Sequence, residues 1–480
     1  MRLGAGRRRG RVAAGRARAA GLCLAALASA GCAQAQAGAA AGADDAAAYT
    51  AAVTDTAAAG IDTAAAVTDT VRAGAPTYEI RGARWWNGEG FEPRTMHVAG
   101  GRFVQRPPGR ADSVLDLSGA WVVPPYGEAH THSPAYSRER VEAFERAGVF
   151  YAMIMNVHAS TWAENASWFE GPVEATATVA AFTAPNGHPV QFGLRGGGRL
   201  EEFDGDWITA VASEADVEAK WAATAALNRD FIKTFLLYSD RYEERASDET
   251  IPPRYRGMDP ALLPGLVRRA HAAGLRVATH VRTRHDFAVA AAAGTDILAH
   301  LPGFSMGPGS LEEFDDPDRR ADLEDPDRFR LTPADVAAAV GAGVTVITTI
   351  GSLGQPLPED IDPDARAYVE GLWRVRRDIL AHNLRLLRDA GVTIAIGSDA
   401  GEGDPVEEAL VVHELDVFDP AEILHMLAAE SPRLIFPERR IGRLEEGFEA
   451  SFLALEANPL EDMAALRRIR LRFKGAPLPN

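Results

Sequence analysis

Six side chains able to bind metal ions or move protons fall in five short segments of this 480-residue chain: His130-Thr131-His132, Lys233, His280, His300 and Asp399. Each follows a run of the kind that forms a strand: Trp121-Val122-Val123 before the His pair, Phe231-Ile232 before Lys233, Leu275 to Thr279 before His280, Ile297-Leu298-Ala299 before His300, and Val392 to Ser398 before Asp399. On an extended strand His130 and His132 point to the same side, so they can clamp one ion or stand as two solvated loop histidines. Lys233 lies inside an apolar strand, where a buried ammonium is costly. It either pairs with a carboxylate such as Asp230 or is desolvated to a reactive amine, which can add carbon dioxide and present two carbamate oxygens. His280 and His300 end adjacent strands, and equivalent positions favour ligation over a structural role. Asp399 can bind a metal and accept a proton from metal-bound water, or cap a helix. Four imidazoles and two sources of anionic oxygen together would hold two divalent metals, the equipment of a metal-dependent hydrolase.

These residues need a scaffold that brings strand ends together. Strands are expected at 119–124, 149–156, 189–194, 231–237, 275–280, 296–300, 344–350 and 392–398, and helices at 213–228, 260–273, 332–341 and 366–389. That alternation implies an α/β fold with a parallel sheet, closed as a (β/α)8 TIM barrel over residues 119–435. In such barrels chemistry gathers at the carboxyl ends of the strands. Short strands at Tyr78–Gly82, Met96–Val98 and Arg102–Val104, with others at Ile441–Leu444 and Ser451–Glu456, are expected to pair. They would form a small β-sandwich domain from both flanks of the barrel, residues 76–118 and 436–480. The long loops 239–258 and 302–331 read as lids or substrate walls. Arg195, at the end of the expected third strand, and Tyr238, just past Lys233, are candidate substrate contacts. His158 after the second strand and His413 after the eighth are further candidates to face the pocket, whereas His271, His382 and His425 sit in helical patterns and read as packing or surface residues.

The formal charge is -17, and residues 1–31 carry seven Arg and no acid, so the remainder is more acidic still. An acidic body without a basic stripe argues against nucleic acid as a partner and leaves a small-molecule substrate. The Arg-rich start and the apolar stretch Ala19–Ala30 read as an export signal over residues 1–32, too short to span a bilayer. It ends in Ser29-Ala30-Gly31-Cys32, similar to a bacterial lipoprotein box, which implies a membrane tether through a lipidated Cys32; cleavage near Ala33 to Ala37 is the alternative. The expected setting is periplasmic or membrane-anchored. Residues 33–75 are Ala-rich, repeat Ala-Ala-Val-Thr-Asp-Thr at 51–56 and 65–70, and read as a disordered linker. No cysteine follows Cys32, so the exported part has no disulfide, which a fold of this size can do without. The oligomeric state is left open by the sequence.

Taken together, the five segments resemble the amidohydrolase superfamily from about Tyr78 to Leu460. His130 and His132 match its His-x-His pair, Lys233 the fourth-strand lysine carboxylated in two-metal members, His280 and His300 the fifth- and sixth-strand histidines, and Asp399 the eighth-strand aspartate. The tail Ser431-Pro432-Arg433-Leu434, then Ile441 to Gly447 and Asn458-Pro459-Leu460, is similar to the family's ending. Two departures stand out: Pro124-Pro125-Tyr126-Gly127-Glu128 replaces the usual Pro-Gly-Leu-x-Asp, and Phe448-Glu449-Ala450-Ser451 the usual Lys-x-Ala-Asp. The resemblance implies two metals, most consistent with zinc, one held by His130, His132 and Asp399 and one by His280 and His300, with carboxylated Lys233 between them. It implies attack of a bridging hydroxide on a small amide, cyclic amide or dipeptide, with Asp399 carrying the proton to the leaving nitrogen. The alternatives are a deaminase of a ring-nitrogen substrate, against which Lys233 counts, and a catalytically silent anchored binding protein.

Overall fold

The computed structural model describes residues 75–479 apart from 107–108, 186, 196, 248–255, 304–324, 352, 354–356, 358–360 and 402. The expected signal peptide, Cys32 and the linker up to Gly74 lie outside the described residues, as do parts of both long loops. All described residues fall within one compact unit, Gly42–Asn480. Among them no helix is long and apolar enough to cross a membrane.

Seven short strands come first: β1 (Tyr78–Arg81), β2 (Arg84–Trp86), β3 (Phe91–Pro93), β4 (Met96–Ala99), β5 (Arg102–Val104), β6 (Ser113–Asp116) and β7 (Trp121–Val123). Then come β8 (Tyr126–Thr131), β9 (Val149–Val157), β10 (Glu174–Val179), β11 (Ala181–Thr183), β12 (Ile208–Ala210) and β13 (Phe231–Phe235). They continue as β14 (Arg276–His280), β15 (Ile297–Ala299), β16 (Thr345–Ile347) and β17 (Thr393–Ala395), and the chain finishes with β18 (Ser451–Leu455) and β19 (Ile469–Lys474). Strands β10-β9-β8 form one sheet and β12-β11-β13-β14-β15-β16-β17 another, every pairing in both being parallel. Only Ala180, at φ +54°, separates β10 from β11. Past β17, backbone bonds from Ala129 N to Ile396 O (3.0 Å) and from Asp399 N to His130 O (2.8 Å) join the chain back to β8.

The parallel strands are largely buried on both faces, as parallel strands in general are. β9 is buried at every position. Local signals set the helices between them. The helix Arg284–Ala293 opens on a capping box of Thr283 with Asp286 and stops at Gly294 in the left-handed region. Pro333–Ala342 repeats the device with Thr332, Asp335 and Gly343. The expected helices are present as Glu214–Leu227, Leu263–Ala272, Pro333–Ala342 and Pro363–Asp389.

Three strand expectations are corrected, the simplest being Ile441–Leu444, which forms no strand. Trp121–Val123, read as opening the barrel, pairs instead with β2 and β18 in the sheet β19-β18-β7-β2-β3. The parallel part begins after Pro124-Pro125, whose missing N–H groups interrupt strand pairing. Residues 189–194 are not a strand: Val190–Arg195 is a helix, and the third parallel strand is supplied by β10 and β11. The flanking sheets do draw on both ends of the chain. Trp85 of β2 meets Phe452 of β18 edge-on at 5.3 Å, and Phe452 stacks on Phe473 of β19 at 4.6 Å. Phe103 of the second flanking sheet, β5-β4-β1-β6, closes on Trp85 at 6.1 Å.

Candidate metal centre

His130 lies in β8, Lys233 in β13 and His280 at the end of β14, while His300 directly follows β15 and Asp399 lies just past β17. Their side chains converge. His130, His300 and Asp399 each offer a ligand atom, and all three atoms lie within 4.8 Å of one another, a group able to hold a metal ion. Asp399 Oδ1 is 3.6 Å from His130 Nε2 and 3.3 Å from His132 Nε2, and its Oδ2 is 4.0 Å from His300 Nδ1. The His300 ring lies 4.6 Å from that of His130 and 4.2 Å from that of His280. Lys233 is buried, its Nζ 5.6 Å from the Phe235 ring, which in turn lies 5.4 Å from His280.

Neighbouring groups aim these ligands. His132 Nδ1 stands 3.0 Å from Asn156 O, so a proton on Nδ1 would leave Nε2 free toward Asp399. His300 Nδ1 is 2.6 Å from Thr349 Oγ1. Asn156, His300, Thr349 and Asp399 all have positive φ, at 89°, 131°, 44° and 49°. Such backbone is rare outside glycine and gathers where a site over-determines it.

Burial drives the His130, His280 and His300 rings well below the ordinary imidazole range, and neighbouring rings and Lys233 add to the effect, so all three stay neutral and able to donate a lone pair. Burial likewise lowers Lys233 to about 7, with Asp399 opposing. For Asp399 desolvation acts upward, but the hydrogen bond and charge of His132, with Lys233 adding, hold it below its usual value. His130 Nδ1 and Lys233 Nζ are buried without a hydrogen-bond partner among the described residues. Buried polar atoms are rarely left so, and here they border a cluster of lone-pair donors, the arrangement a bound cation would complete. The donor set therefore fits a metal.

Three residues escaped the sequence reading. His188, after β11, puts its ring 5.0 Å from His280, and burial pushes it down to about 3. Its signal was a histidine following the true third strand. Glu128 bonds to His130 and Ser398, and burial raises it to about 8. Glu408 accepts from the N–H groups of Ile350 and Gly351 just past β16, and burial raises it to about 7.

Four further sequence candidates have the following surroundings. Arg195 ends the helix Val190–Arg195 instead of a strand. The ring of Tyr238 is taken up by the guanidiniums of Arg245, at 4.2 Å, and Arg328, at 5.5 Å. His413 is exposed in the last turn of Pro405–Glu414. A helix that follows a parallel strand runs back toward the strand's amino end, so His413 lies away from the ligand cluster. His158 does follow β9, but its Nδ1 is 2.7 Å from Asp206 Oδ2 and its ring stacks on Trp207 at 5.1 Å.

No family model matches the chain. The ochratoxinase of Aspergillus niger is 41% identical over 76 residues, 15% of this chain and only 16% of that protein. Its crystal structure matches with a TM-score of 0.61 at 18% identity, over 84% of this chain and 95% of the other. A Xaa-Pro dipeptidase with methionine bound in its active site gives 0.61 at 16% identity, over 84% of this chain and all 100% of that one. The crystal structure of an amidohydrolase gives 0.60 at 16%, over 84% and 99%. At such identities the likeness is one of architecture alone.

Proposed function

We propose that this chain is a metal-dependent hydrolase that cleaves a C–N bond in a small amide, cyclic amide or dipeptide. The proposal includes the closed (β/α)8 barrel and the β-sandwich assembled from both flanks; the bonds from Ala129 and Asp399 across to Ile396 and His130 support closure. The observation that carries the reading is the convergence of His130, His300 and Asp399 within 4.8 Å, beside the buried and unpartnered Nζ of Lys233. The substrate class rests on the architecture shared with a dipeptidase and an ochratoxinase.

In this reading His130, His132 and Asp399 would hold one divalent ion and His280 and His300 a second, with carboxylated Lys233 supplying anionic oxygen to the pair. Divalent metals there supply Lewis acidity toward a carbonyl and lower the pKa of water. Lys233 contributes a neutral amine: its nitrogen forms a bond to the carbon of carbon dioxide, a proton leaves, and an anionic carbamate replaces the neutral amine. Asp399, with Oδ1 toward the His pair, takes up a proton through Oδ2 and returns it to the leaving nitrogen. Export and a Cys32 tether belong to the same proposal and rest on the sequence alone.

Protein grown with zinc and bicarbonate is expected to carry close to two metals per chain, and an amide, ester and lactone screen to find a hydrolysed amide. Lys233→Ala should lose activity that short carboxylic acids partly restore, while Lys233→Arg stays inactive because a guanidinium forms no carbamate. At most one metal per chain, or an Arg variant with native turnover, would refute the two-metal assignment.

A further inference from the structure

Glu128 precedes His130 by two residues and is wholly buried. Its Oε1 accepts from the backbone N–H of His130 at 2.9 Å and from that of Ser398 at 2.9 Å, and its Oε2 pairs with Ser398 Oγ at 2.7 Å. Ser398 immediately precedes Asp399. One carboxyl group therefore grips both the strand that carries the first histidine and the segment that carries the aspartate.

Other contacts show how narrowly these two segments are spaced. Asp399 N donates to His130 O at 2.8 Å, so His130 is held through its N–H by Glu128 and through its carbonyl by Asp399. A Cβ placed on Gly397 would stand 2.7 Å from His130 N and 2.9 Å from His130 Cβ, so only glycine permits the approach. Asp399 itself sits at φ +49°, a conformation that persists only where its surroundings impose it. The Glu128–Ser398 bonds fix the residue just before it.

We propose that Glu128 is a positioning residue that sets the separation of His130 and Asp399, so that the metal affinity of the site depends on the length of this one side chain. The inference rests on the metal-centre reading above. An aspartate would withdraw the carboxyl by about 1.5 Å, one carbon–carbon bond, which takes bonds now at 2.7–2.9 Å out of hydrogen-bond range. A glutamine would keep all three: its carbonyl oxygen can accept both N–H groups and its NH2 can donate to Ser398 Oγ.

The test is titration of the metal-free full chain with cobalt(II), read by chelator competition and by the visible spectrum of the bound ion, with circular dichroism as the check on folding. Glu128→Gln should keep near-native affinity and an unchanged spectrum. Glu128→Asp should stay folded, lose about 10- to 100-fold in affinity, the usual effect of removing a group that orients metal ligands, and shift the spectrum. Ser398→Ala removes one of the three bonds and should fall between them, which decides the matter if the Asp variant does not fold. Native affinity and spectrum in Glu128→Asp or Ser398→Ala, or equal losses in the Gln and Asp variants, would overturn the positioning role. Wild-type protein that takes up no cobalt would instead overturn the metal-centre reading itself.

Discussion

The metal-free protein should be unusually sensitive to mild acid. Burial holds the rings of His130, His188, His280 and His300 neutral in the fold, whereas an unfolded chain protonates each near its ordinary value of about 6.5. For these groups the folded pKa is the lower one, so their contribution is present above the unfolded value and is lost as pH falls. Between about pH 6 and about pH 5 each ring forfeits on the order of 1 kcal/mol, or about 5 kcal/mol for the four together. Glu128 and Glu408 run the other way: burial raises them to about 8 and about 7, so their contribution grows as pH falls toward the ordinary carboxylate range. They return about 1 kcal/mol each over the same interval, leaving a net loss of about 2–3 kcal/mol. Domains of ordinary stability have roughly 5–15 kcal/mol in all, so the loss is easily measured. Urea unfolding in the presence of a chelator at the two pH values reads it directly through the shift in midpoint. His280→Asn should remove one ring's share and flatten the dependence by about 1 kcal/mol. Stability that stays level on acidification, or an Asn variant as acid-sensitive as the parent, would refute the burial argument.

Asp399→Asn keeps the shape and removes the base, so kcat should fall by at least about 100-fold while metal content by elemental analysis falls less. Thr349→Val deletes the hydroxyl 2.6 Å from His300 Nδ1 and should weaken metal binding by roughly tenfold or more in chelator competition. Gly397→Ala would bring a Cβ to 2.6 Å from Ile347 Cγ2 and 2.7 Å from His130 N. A loss of about 1–3 kcal/mol in thermal or urea unfolding is expected from such overpacking, together with reduced metal retention.

The ligand candidates were legible because each interrupts or ends an apolar strand, where a histidine, lysine or aspartate has no packing reason to be. Lys233, between Ile232 and Thr234 in a strand buried throughout, is the clearest case. Misreadings came where local sequence favours two answers. Pro189-Val190-Gln191-Phe192 has strand-like composition but forms the start of a helix, while Ala175 to Thr183, alternating Thr with small residues, is the actual third strand region. That slip hid His188, which makes sense as a site residue only once the third strand is placed correctly. Trp121–Val123 has the composition of a barrel strand but belongs to the flanking sheet, and Pro124-Pro125 marks the boundary. Glu128 could be singled out as a departure from the family pattern, but its partner Ser398 lies 270 positions away, and such a contact leaves no local trace.

The pairing of β7 with β18 also bears on how the chain reaches its native state. β7 waits for a partner that leaves the ribosome only after the whole parallel region, so this ladder is among the most non-local contacts in the molecule, the kind that forms late and slowly. Until then the β7 edge stands open to pairing with a neighbouring chain, and Trp85 lacks the face of Phe452. The parallel region, most of whose strands pair with near neighbours in sequence, can assemble first. Losing the last strands would therefore leave the catalytic face formed yet an adhesive edge uncovered, and aggregation during synthesis, more than loss of chemistry, would be the first sign of damage at that end.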